Sequence, residues 1–233
     1  MADAAPLASA RHVSGAGLPG VWAPRLVIMA RTAIAGRVKT RLAREIGAAR
    51  ATAFYRTTSQ VVIARLAGDQ RWQTWLACTP DTAIHERTLP QTGYRVAQGV
   101  GDLGARMQRV FDTLPPGPVV IVGTDIPGID SRAINAAFRA LRRSDAVLGP
   151  ADDGGYWLVG HARRRPVARL FVGVQWSTET TLTDTEKNLP EGRVAHLATL
   201  EDVDDAASWR RLQNLGARRV VPITARGAET PGR

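Results

Sequence analysis

The sequence predicts an α/β fold with one mostly parallel central sheet and helices on both of its faces. Short apolar runs typical of buried strands alternate along the chain with segments whose apolar residues recur every three to four positions, as in helices with one buried face. Residues 119–122, Val-Val-Ile-Val, are apolar at every position, as expected for an inner strand that is covered on both sides. In such sheets ligands bind beyond the carboxyl ends of the strands, so functional residues are expected there.

The elements follow in chain order. Strands are predicted at 25–30, 72–77, 94–97, 119–122, 145–148, 155–159 and 193–197. Helices are predicted from residue 42 onward, at 103–114, at 131–143 with Ser131 as its cap, from 177–178 to 188, and at 204–215. The first helix is expected to bury the residues that carry its periodicity, which are Leu42, Ile46, Ala49, Ala53, Thr57, Val61 and Ala64.

Length and composition predict a single domain over residues 25–222, with a disordered tail at 1–24 and a flexible tail at 223–233. Of the 233 residues, 44% are apolar, which is enough for a sizeable core. The longest apolar runs are far shorter than the about 20 residues that cross a bilayer, so no membrane span is predicted. A single cysteine, Cys78, fits a reducing compartment and hence a cytoplasmic protein. Composition predicts no particular oligomeric state.

The net charge of +10 does not lead us to predict nucleic-acid binding. The arginines are spread along the chain, and no nucleic-acid module or aromatic platform accompanies them. Ordinary exposed basic faces account for most of this charge.

A basic loop joins the first predicted strand to the first predicted helix. Backbone N–H groups and the helix dipole favour an anion at such a position. Four cations lie within eleven residues around Gly36, and they suit a multiply charged group such as a diphosphate: Arg31, Arg37, Lys39 and Arg41. The alternative is a solvated basic loop, and the spacing of a Walker phosphate loop is absent.

Asp125 follows the apolar run 119–122 at the expected carboxyl end of a central strand. A carboxylate there is a candidate ligand for a divalent cation that also binds donor phosphates, and a loop or capping hydrogen bond is the alternative. Residues 201–205, Glu-Asp-Val-Asp-Asp, are a second candidate source of a metal ligand, or ordinary capping residues before a helix.

Three further segments carry candidate chemistry. Asp152 and Asp153 lie in a loop that either orients an acceptor hydroxyl or forms a hairpin turn at Gly154-Gly155. Residues 176–178, Trp-Ser-Thr, are either a sugar-facing shelf or a hydrophobic staple with its cap. The pattern Gly-x-Gly-x-x-Gly at 99–104 gives some support to a dinucleotide-binding oxidoreductase, although such a pattern normally follows the first strand of its domain. Zinc and serine hydrolase motifs are absent from the sequence.

Several of these blocks together resemble a largely uncharacterised bacterial family of glycosyltransferase-A-like (GT-A) transferases. The resemblance covers residues 25–215 and rests on seven blocks in the same order: Ala-Arg at 30–31, Gly-Arg-Val-Lys-Thr-Arg-Leu at 36–42, Gly-Asp-Leu-Gly-Ala-Arg-Met at 101–107, Gly-Thr-Asp-Ile-Pro at 123–127, Gly-Pro-Ala-Asp-Asp-Gly-Gly-Tyr at 149–156, Trp-Ser-Thr at 176–178 and Asp-Val-Asp at 202–204. More distantly, the chain is similar to phospholactate guanylyltransferase and molybdenum-cofactor guanylyltransferase.

The resemblance implies a Rossmann-like GT-A fold, the fold of nucleotide-diphospho-sugar transferases, with Mg²⁺ or Mn²⁺ as cofactor. It places donor phosphates on Gly36, Arg37, Lys39 and Arg41, and the metal on Asp125 with Asp204 near it. We add Arg31, Asp102, Trp176 and Ser177 as candidate donor-binding residues, and Asp152 and Asp153 as candidate catalytic residues. The chain departs from the family pattern in the first loop, at Arg31, Ala33 and Ala35.

Three functions are compatible with these features. The leading one is metal-dependent transfer of a glycosyl group from a nucleotide sugar to a small-molecule acceptor. The second is guanylyl or cytidylyl transfer from a nucleoside triphosphate, which releases pyrophosphate. The third is a nucleotide-binding protein without turnover, which the departures in the first loop motivate.

Overall fold

The computed structural model describes residues 11–12, 22–90, 92–189, 193–203 and 205–219. Its strands are β1 (Arg11–His12), β2 (Arg25–Arg31), β3 (Gln73–Thr79), β4 (Tyr94–Ala97), β5 (Val119–Val122), β6 (Ala146–Pro150), β7 (Tyr156–His161) and β8 (Val194–His196). Its helices are α1 (Thr40–Ile46), α2 (Ala48–Ala67), α3 (Leu103–Thr113), α4 (Ser131–Ala140), α5 (Thr181–Lys187) and α6 (Ala206–Arg219), with a 3₁₀ helix at Asp81–His85.

These strands form one mixed sheet in the order β1-β4-β3-β2-β5-β7-β6-β8. The central strands β4, β3, β2 and β5 are parallel, as predicted, and β8 runs parallel to β6. β7 is antiparallel to both of its neighbours, and β1, which lies within the predicted N-terminal tail, is antiparallel to β4. The rest of the predicted tails, apart from residues 22–24, lies outside the described residues.

Two apolar cores cover the two faces of the sheet. On β2, Leu26 and Ile28 belong to one core and Val27 to the other, because successive strand residues point to opposite faces. The first core receives α2 and α4, and the second receives α3 and the segment around Phe171. The predicted α/β architecture with helices on both faces is therefore confirmed. In the described part of the chain no helix combines the length and apolar character of a membrane span.

The predicted first helix is two helices separated by Gly47, which has φ 87° and ψ 148°. The break shifts the helical phase, so the predicted buried face is correct on α1, where Leu42 is buried and Ile46 is partly buried against the same cluster, and wrong on α2. Five residues expected to be buried are exposed: Ala49, Ala53, Thr57, Val61 and Ala64. The buried face of α2 instead includes Tyr55, Val62, Ile63 and Leu66. A residue that leaves helical geometry restarts the periodicity, and the sequence pattern does not show by how much.

Two predicted helix starts also differ from the structure. α4 is capped by Asp130, whose carboxylate accepts a hydrogen bond from Ala133 N at 2.8 Å, and not by Ser131. α5 begins at Thr181, and the predicted start at 177–178 falls in an irregular segment that lines the pocket described below.

Candidate functional site

A large open pocket lies at the carboxyl ends of β2 and β5, where the fold class predicts a ligand site. Its volume is about 1140 Å³, which exceeds the usual range of about 300–1,000 Å³ for small-molecule sites. β2 and β5 are parallel neighbours with Ile28 opposite Val122. Arg31 and Asp125 each follow these paired residues by three positions, and both line the pocket. The basic loop and the acidic loop therefore meet at one site.

Lys39 links these two loops directly. Its Nζ lies 3.3 Å from Asp125 Oδ1 and 3.2 Å from Asp202 Oδ1, so one ammonium group pairs with two carboxylates. The Lys39 side chain is only 5% exposed, whereas the side chains of Asp125 and Asp202 are 47% and 23% exposed. Asp202 comes from the segment that follows β8, so three distant parts of the sequence form this cluster.

The backbone is held in a costly conformation at two places in the pocket. Among the described residues, the non-glycine residues with positive φ are Lys39 (45°), Arg163 (54°) and Ser177 (61°). Lys39 and Ser177 both line the pocket. Such strain costs about 1–3 kcal/mol per residue and is concentrated at binding and catalytic sites.

A chain of buried hydroxyl groups joins the start of the basic loop to the Asp125 loop. Tyr55 OH accepts a hydrogen bond from Arg31 N and donates one to Arg31 O, each at 3.2 Å. Thr124 Oγ1 lies 3.4 Å from the same phenol oxygen and 3.1 Å from Ser59 Oγ. Tyr55, Ser59 and Thr124 are all buried. α2 thus helps to fix the positions of both loops through Tyr55 and Ser59.

We predict that Tyr55→Phe weakens binding of inorganic pyrophosphate by about fivefold, because the two loops lose their shared anchor. The free energy of unfolding is expected to fall by only about 1 kcal/mol, the usual contribution of such hydrogen bonds. Calorimetric titration and urea unfolding measure the two quantities.

Thr113→Val is the matched control, because it removes a hydroxyl that bonds Arg109 O on α3, and Thr113 does not line the pocket. The control is expected to keep the affinity of the unmodified protein. Equal pyrophosphate affinity in Tyr55→Phe would show that the phenol group does not organise the site.

The other predicted donor-binding residues fall into two groups. Arg37, Arg41, Trp176 and Ser177 line the same pocket as Arg31 and Lys39, and Arg31 also donates a hydrogen bond to Arg37 O at 3.2 Å. Gly36 and Asp102 are not part of the pocket lining. Gly36 has φ 76°, which lets the loop turn, and Asp102 caps α3 by accepting a hydrogen bond from Ala105 N at 2.8 Å.

The two candidate catalytic aspartates have different surroundings. Asp153 lines the pocket, and its Oδ1 accepts a hydrogen bond from Gly155 N. Asp152 does not line it and instead accepts a hydrogen bond from Asp202 N at 3.3 Å. The turn that carries both aspartates packs closely against the segment around Glu179, which forms the adjoining wall of the pocket. A Cβ on Gly154 would collide with the backbone of Glu179. Asp204, a candidate metal residue, lies outside the described residues.

The glycine pattern at 99–104 has structural explanations that do not involve a dinucleotide. It follows β4, near one edge of the sheet, rather than the first strand of the domain. Position 104 requires glycine because a Cβ there would lie 2.7 Å from the side chains of Phe171 and Trp176. A Cβ on Gly99 would meet the guanidinium group of Arg109. The structure therefore does not support the oxidoreductase alternative.

Two pocket residues that matter for chemistry were not singled out from the sequence. Tyr55 anchors the loops, and Glu179 contributes an acidic side chain to the wall that carries Ser177. Tyr156 also lines the pocket, but burial raises the pKa of its phenol well above the ordinary value, so it stays protonated. Burial likewise raises the pKa of the Cys78 thiol to about 11, and this cysteine is no candidate nucleophile.

Asp125 and Asp202 are the candidate metal ligands in the described part of the chain. No group of three or more His, Cys, Asp or Glu side chains is arranged there to hold a metal. Two carboxylates nevertheless suit Mg²⁺, which is commonly bound by one or two carboxylates together with water and substrate phosphate. Mn²⁺ takes the same oxygen ligands. The Lys39 ammonium already shows that both oxygens can face one cation.

Residues 62–178, half of the chain, match the sequence family described as uncharacterized proteins conserved in bacteria, DUF2064. The chain belongs to this family. No curated protein matches the sequence at a significant level. This DUF2064 protein has the expected GT-A-like fold, as its similarity to solved structures shows.

A provisionally named nucleotide-diphospho-sugar transferase from Desulfovibrio desulfuricans is 26% identical, with a TM-score of 0.75 over 84% of this chain and 89% of that one. 4-Diphosphocytidyl-2C-methyl-D-erythritol synthase from Anaerococcus prevotii is 9% identical, with a TM-score of 0.55 over 85% and 100% of the two chains. Molybdopterin-guanine dinucleotide biosynthesis protein A from Archaeoglobus fulgidus is 12% identical, with a TM-score of 0.51 over 83% and 99%. At these identities the last two show the fold alone.

Proposed function

We propose that this DUF2064 protein transfers a glycosyl group from a nucleotide sugar to a hydroxyl group of a small acceptor, with Mg²⁺ or Mn²⁺ as cofactor. The observation that carries the proposal is the convergence of Lys39, Asp125 and Asp202 in a pocket large enough for a donor and an acceptor. The similarity to the provisionally named nucleotide-diphospho-sugar transferase supports it.

The basic loop is proposed to bind the donor diphosphate. Arg31, Arg37 and Arg41 line the pocket on the side of Lys39, so four cations surround the place where a diphosphate enters. Guanidinium groups give forked contacts to phosphate oxygens, and lysine supplies a compact charge. These cations favour the departing nucleoside diphosphate more than the bound donor, because negative charge grows on the leaving oxygen.

Asp125 and Asp202 are proposed to hold the metal, with Asp204 as a further candidate ligand. When bound, the metal supplies positive charge that stabilises the leaving diphosphate. Asp152 positions Asp202 through its hydrogen bond to Asp202 N. The chain therefore directs both its cations and its metal ligands at one diphosphate.

Asp153 is the proposed base for the acceptor hydroxyl. It is exposed, it lines the pocket, and it lies on a turn fixed by its own hydrogen bond to Gly155 N. Tyr156 stays protonated, as its raised pKa requires, so it is not a candidate base. Trp176 and Ser177 belong to the adjoining wall, where an indole face suits a sugar ring.

The bond that breaks separates this reaction from nucleotidylyl transfer, which the same pocket also suits. Glycosyl transfer breaks the bond between the sugar carbon and the diphosphate oxygen and releases a nucleoside diphosphate. Guanylyl or cytidylyl transfer breaks a bond at the α-phosphorus of a nucleoside triphosphate and releases pyrophosphate.

A product analysis tests the proposal. The full-length protein is incubated with Mn²⁺ and with sets of nucleotide sugars or nucleoside triphosphates, after thermal-shift screening has selected the donors that stabilise it. We expect a nucleoside diphosphate from a nucleotide sugar and no pyrophosphate. Pyrophosphate release would assign nucleotidylyl transfer instead, and donor binding without any product would indicate a binding protein without turnover.

A further inference from the structure

We propose that Lys39 is an internal counter-ion that occupies the metal position until a donor arrives. In the ligand-free protein its ammonium group holds Asp125 and Asp202 together, and it moves onto the donor diphosphate when a divalent cation takes the two carboxylates. This inference rests on the proposed function, since it assigns an order of binding to the same site.

The first step is the position of the ammonium group. Asp125 follows β5 and Asp202 follows β8, and the Lys39 ammonium group lies 3.3 Å and 3.2 Å from their Oδ1 atoms. Two carboxylates at one site repel each other unless a cation or a proton is present. Lys39 supplies that cation and so keeps the two oxygens facing a common point.

The second step is competition between cations. A divalent ion bound to Asp125 and Asp202 would lie next to the ammonium group of Lys39. The side chain of Lys39 is only 5% exposed. Two positive charges that lie next to each other in a poorly solvated place repel strongly. The metal alone is therefore expected to bind weakly as long as Lys39 keeps its present position.

The third step is the way in which Lys39 can leave. It is the residue before α1, its backbone is in the left-handed region at φ 45°, and the preceding loop is largely exposed. Its flexible four-carbon stem can redirect the ammonium group without unfolding the helix. A diphosphate bound by Arg31, Arg37 and Arg41 offers new oxygen partners for that group, and its departure frees the carboxylates for the metal.

Diphosphate and metal should therefore bind cooperatively, and the coupling must be reciprocal. The order also has a chemical use, because the metal site becomes complete only when a donor is present. A free metal would then not remain in the empty pocket.

Electron paramagnetic resonance of free Mn²⁺ tests the inference in the full-length protein. Lys39→Met removes the charge and keeps the apolar stem, so it is expected to bind Mn²⁺ alone at least tenfold more tightly than the unmodified protein. Lys39→Arg keeps the charge and should bind within about threefold of it. Lys187→Met is the matched control, because Lys187 is exposed and pairs with Asp184 away from the pocket.

A second measurement needs no variant. Inorganic pyrophosphate is expected to raise the Mn²⁺ affinity of the unmodified protein about tenfold or more, after the Mn²⁺–pyrophosphate equilibrium in solution has been measured separately. Lys39→Met should lose most of this enhancement.

If Lys39→Met bound Mn²⁺ no more tightly than the unmodified protein, and pyrophosphate did not enhance binding, the proposed exchange of cations would be wrong. The metal site itself would still stand. If neither protein bound Mn²⁺, both this inference and the metal dependence in the proposed function would be rejected. Failure to turn over any donor would instead reject the proposed function alone, because these titrations do not depend on turnover.

Discussion

Asp125→Asn is expected to slow glycosyl transfer at least about a thousandfold, the scale of losing a main electrostatic contribution to a transition state. Asparagine keeps the size of the side chain but removes the negative charge. The metal would then lose one of its two proposed ligands, and Lys39 would lose its ion pair with Asp125. The same change should abolish the part of the thermal shift that depends on Mn²⁺. Both are measured on the full-length protein, with the donor identified by the product analysis.

Asp112→Asn is the matched control for this prediction. Asp112 lies on α3 away from the pocket, and its carboxylate accepts a hydrogen bond from Gln108. The control should retain the activity and the Mn²⁺-dependent shift of the unmodified protein. A Mn²⁺-dependent shift that survived in Asp125→Asn would remove this residue from the metal site.

The inner strands could be predicted from the sequence because each of them is nearly all apolar over a short run. β4 and β5 have the predicted bounds, and β2 differs by one residue. Burial on both faces favours apolar residues along most of a strand, which makes such strands visible without tertiary information, although β2 and β4 also bury Arg25 and Arg95. The antiparallel direction of β7 was not predictable in this way, since it depends on pairing between distant segments.

The helical face of α2 shows the opposite case. Its small exposed residues, such as Ala49 and Ala53, carry as clear a periodicity as the buried ones. Alanine fits a helix surface as well as a core, so its spacing does not identify the buried side. Because the predicted helical phase was wrong, Tyr55 was not expected on the buried face. Its phenol group connects the two loops of the site.

For the site, the sequence predicted which loops meet but not which side chains pair. The positions of Lys39 and Asp125 follow from the parallel order of β2 and β5. The contact with Asp202 does not, because nothing local separates it from the other acids at 201–205. The family resemblance pointed to Asp204, whereas the structure adds Asp202 as a partner of Lys39.

The excess of arginine has a structural explanation that the sequence did not reveal. Several guanidinium groups donate hydrogen bonds to backbone carbonyl groups at the ends of helices and in loops. Arg163 bonds the carbonyl groups of Leu114 and Pro115 after α3, and Arg164 bonds those of Leu141 and Arg142 after α4. Arginine suits this role because its planar group donates several hydrogen bonds at once and favours helix carboxyl ends. Part of the net charge of +10 therefore comes from arginines that stabilise the fold, and it does not indicate a charged binding partner.

Arg95 is the strongest example, and Arg95→Met is expected to lower the free energy of unfolding by about 3 kcal/mol. The residue is only 5% exposed, and its guanidinium group donates to four carbonyl groups, those of Ile84, Glu86, Leu89 and Pro90. Methionine fills much of the same space but leaves these acceptors without their donor. For a chain of this length the unfolding temperature should fall by about 6–12 °C. Urea and thermal unfolding measure the two quantities.

The matched control is Arg143→Met, because Arg143 is exposed in the turn that follows α4 and its side chain makes no hydrogen bond or ion pair within the described part of the chain. It should change the free energy of unfolding by no more than about 0.5 kcal/mol, as substitutions on open surface usually do. If the two variants were equally stable, arginine would be interchangeable along this chain and its abundance would reflect composition alone. A large difference would instead mean that the buried guanidinium group holds the segment between β3 and β4 in place, because its four acceptors all lie there.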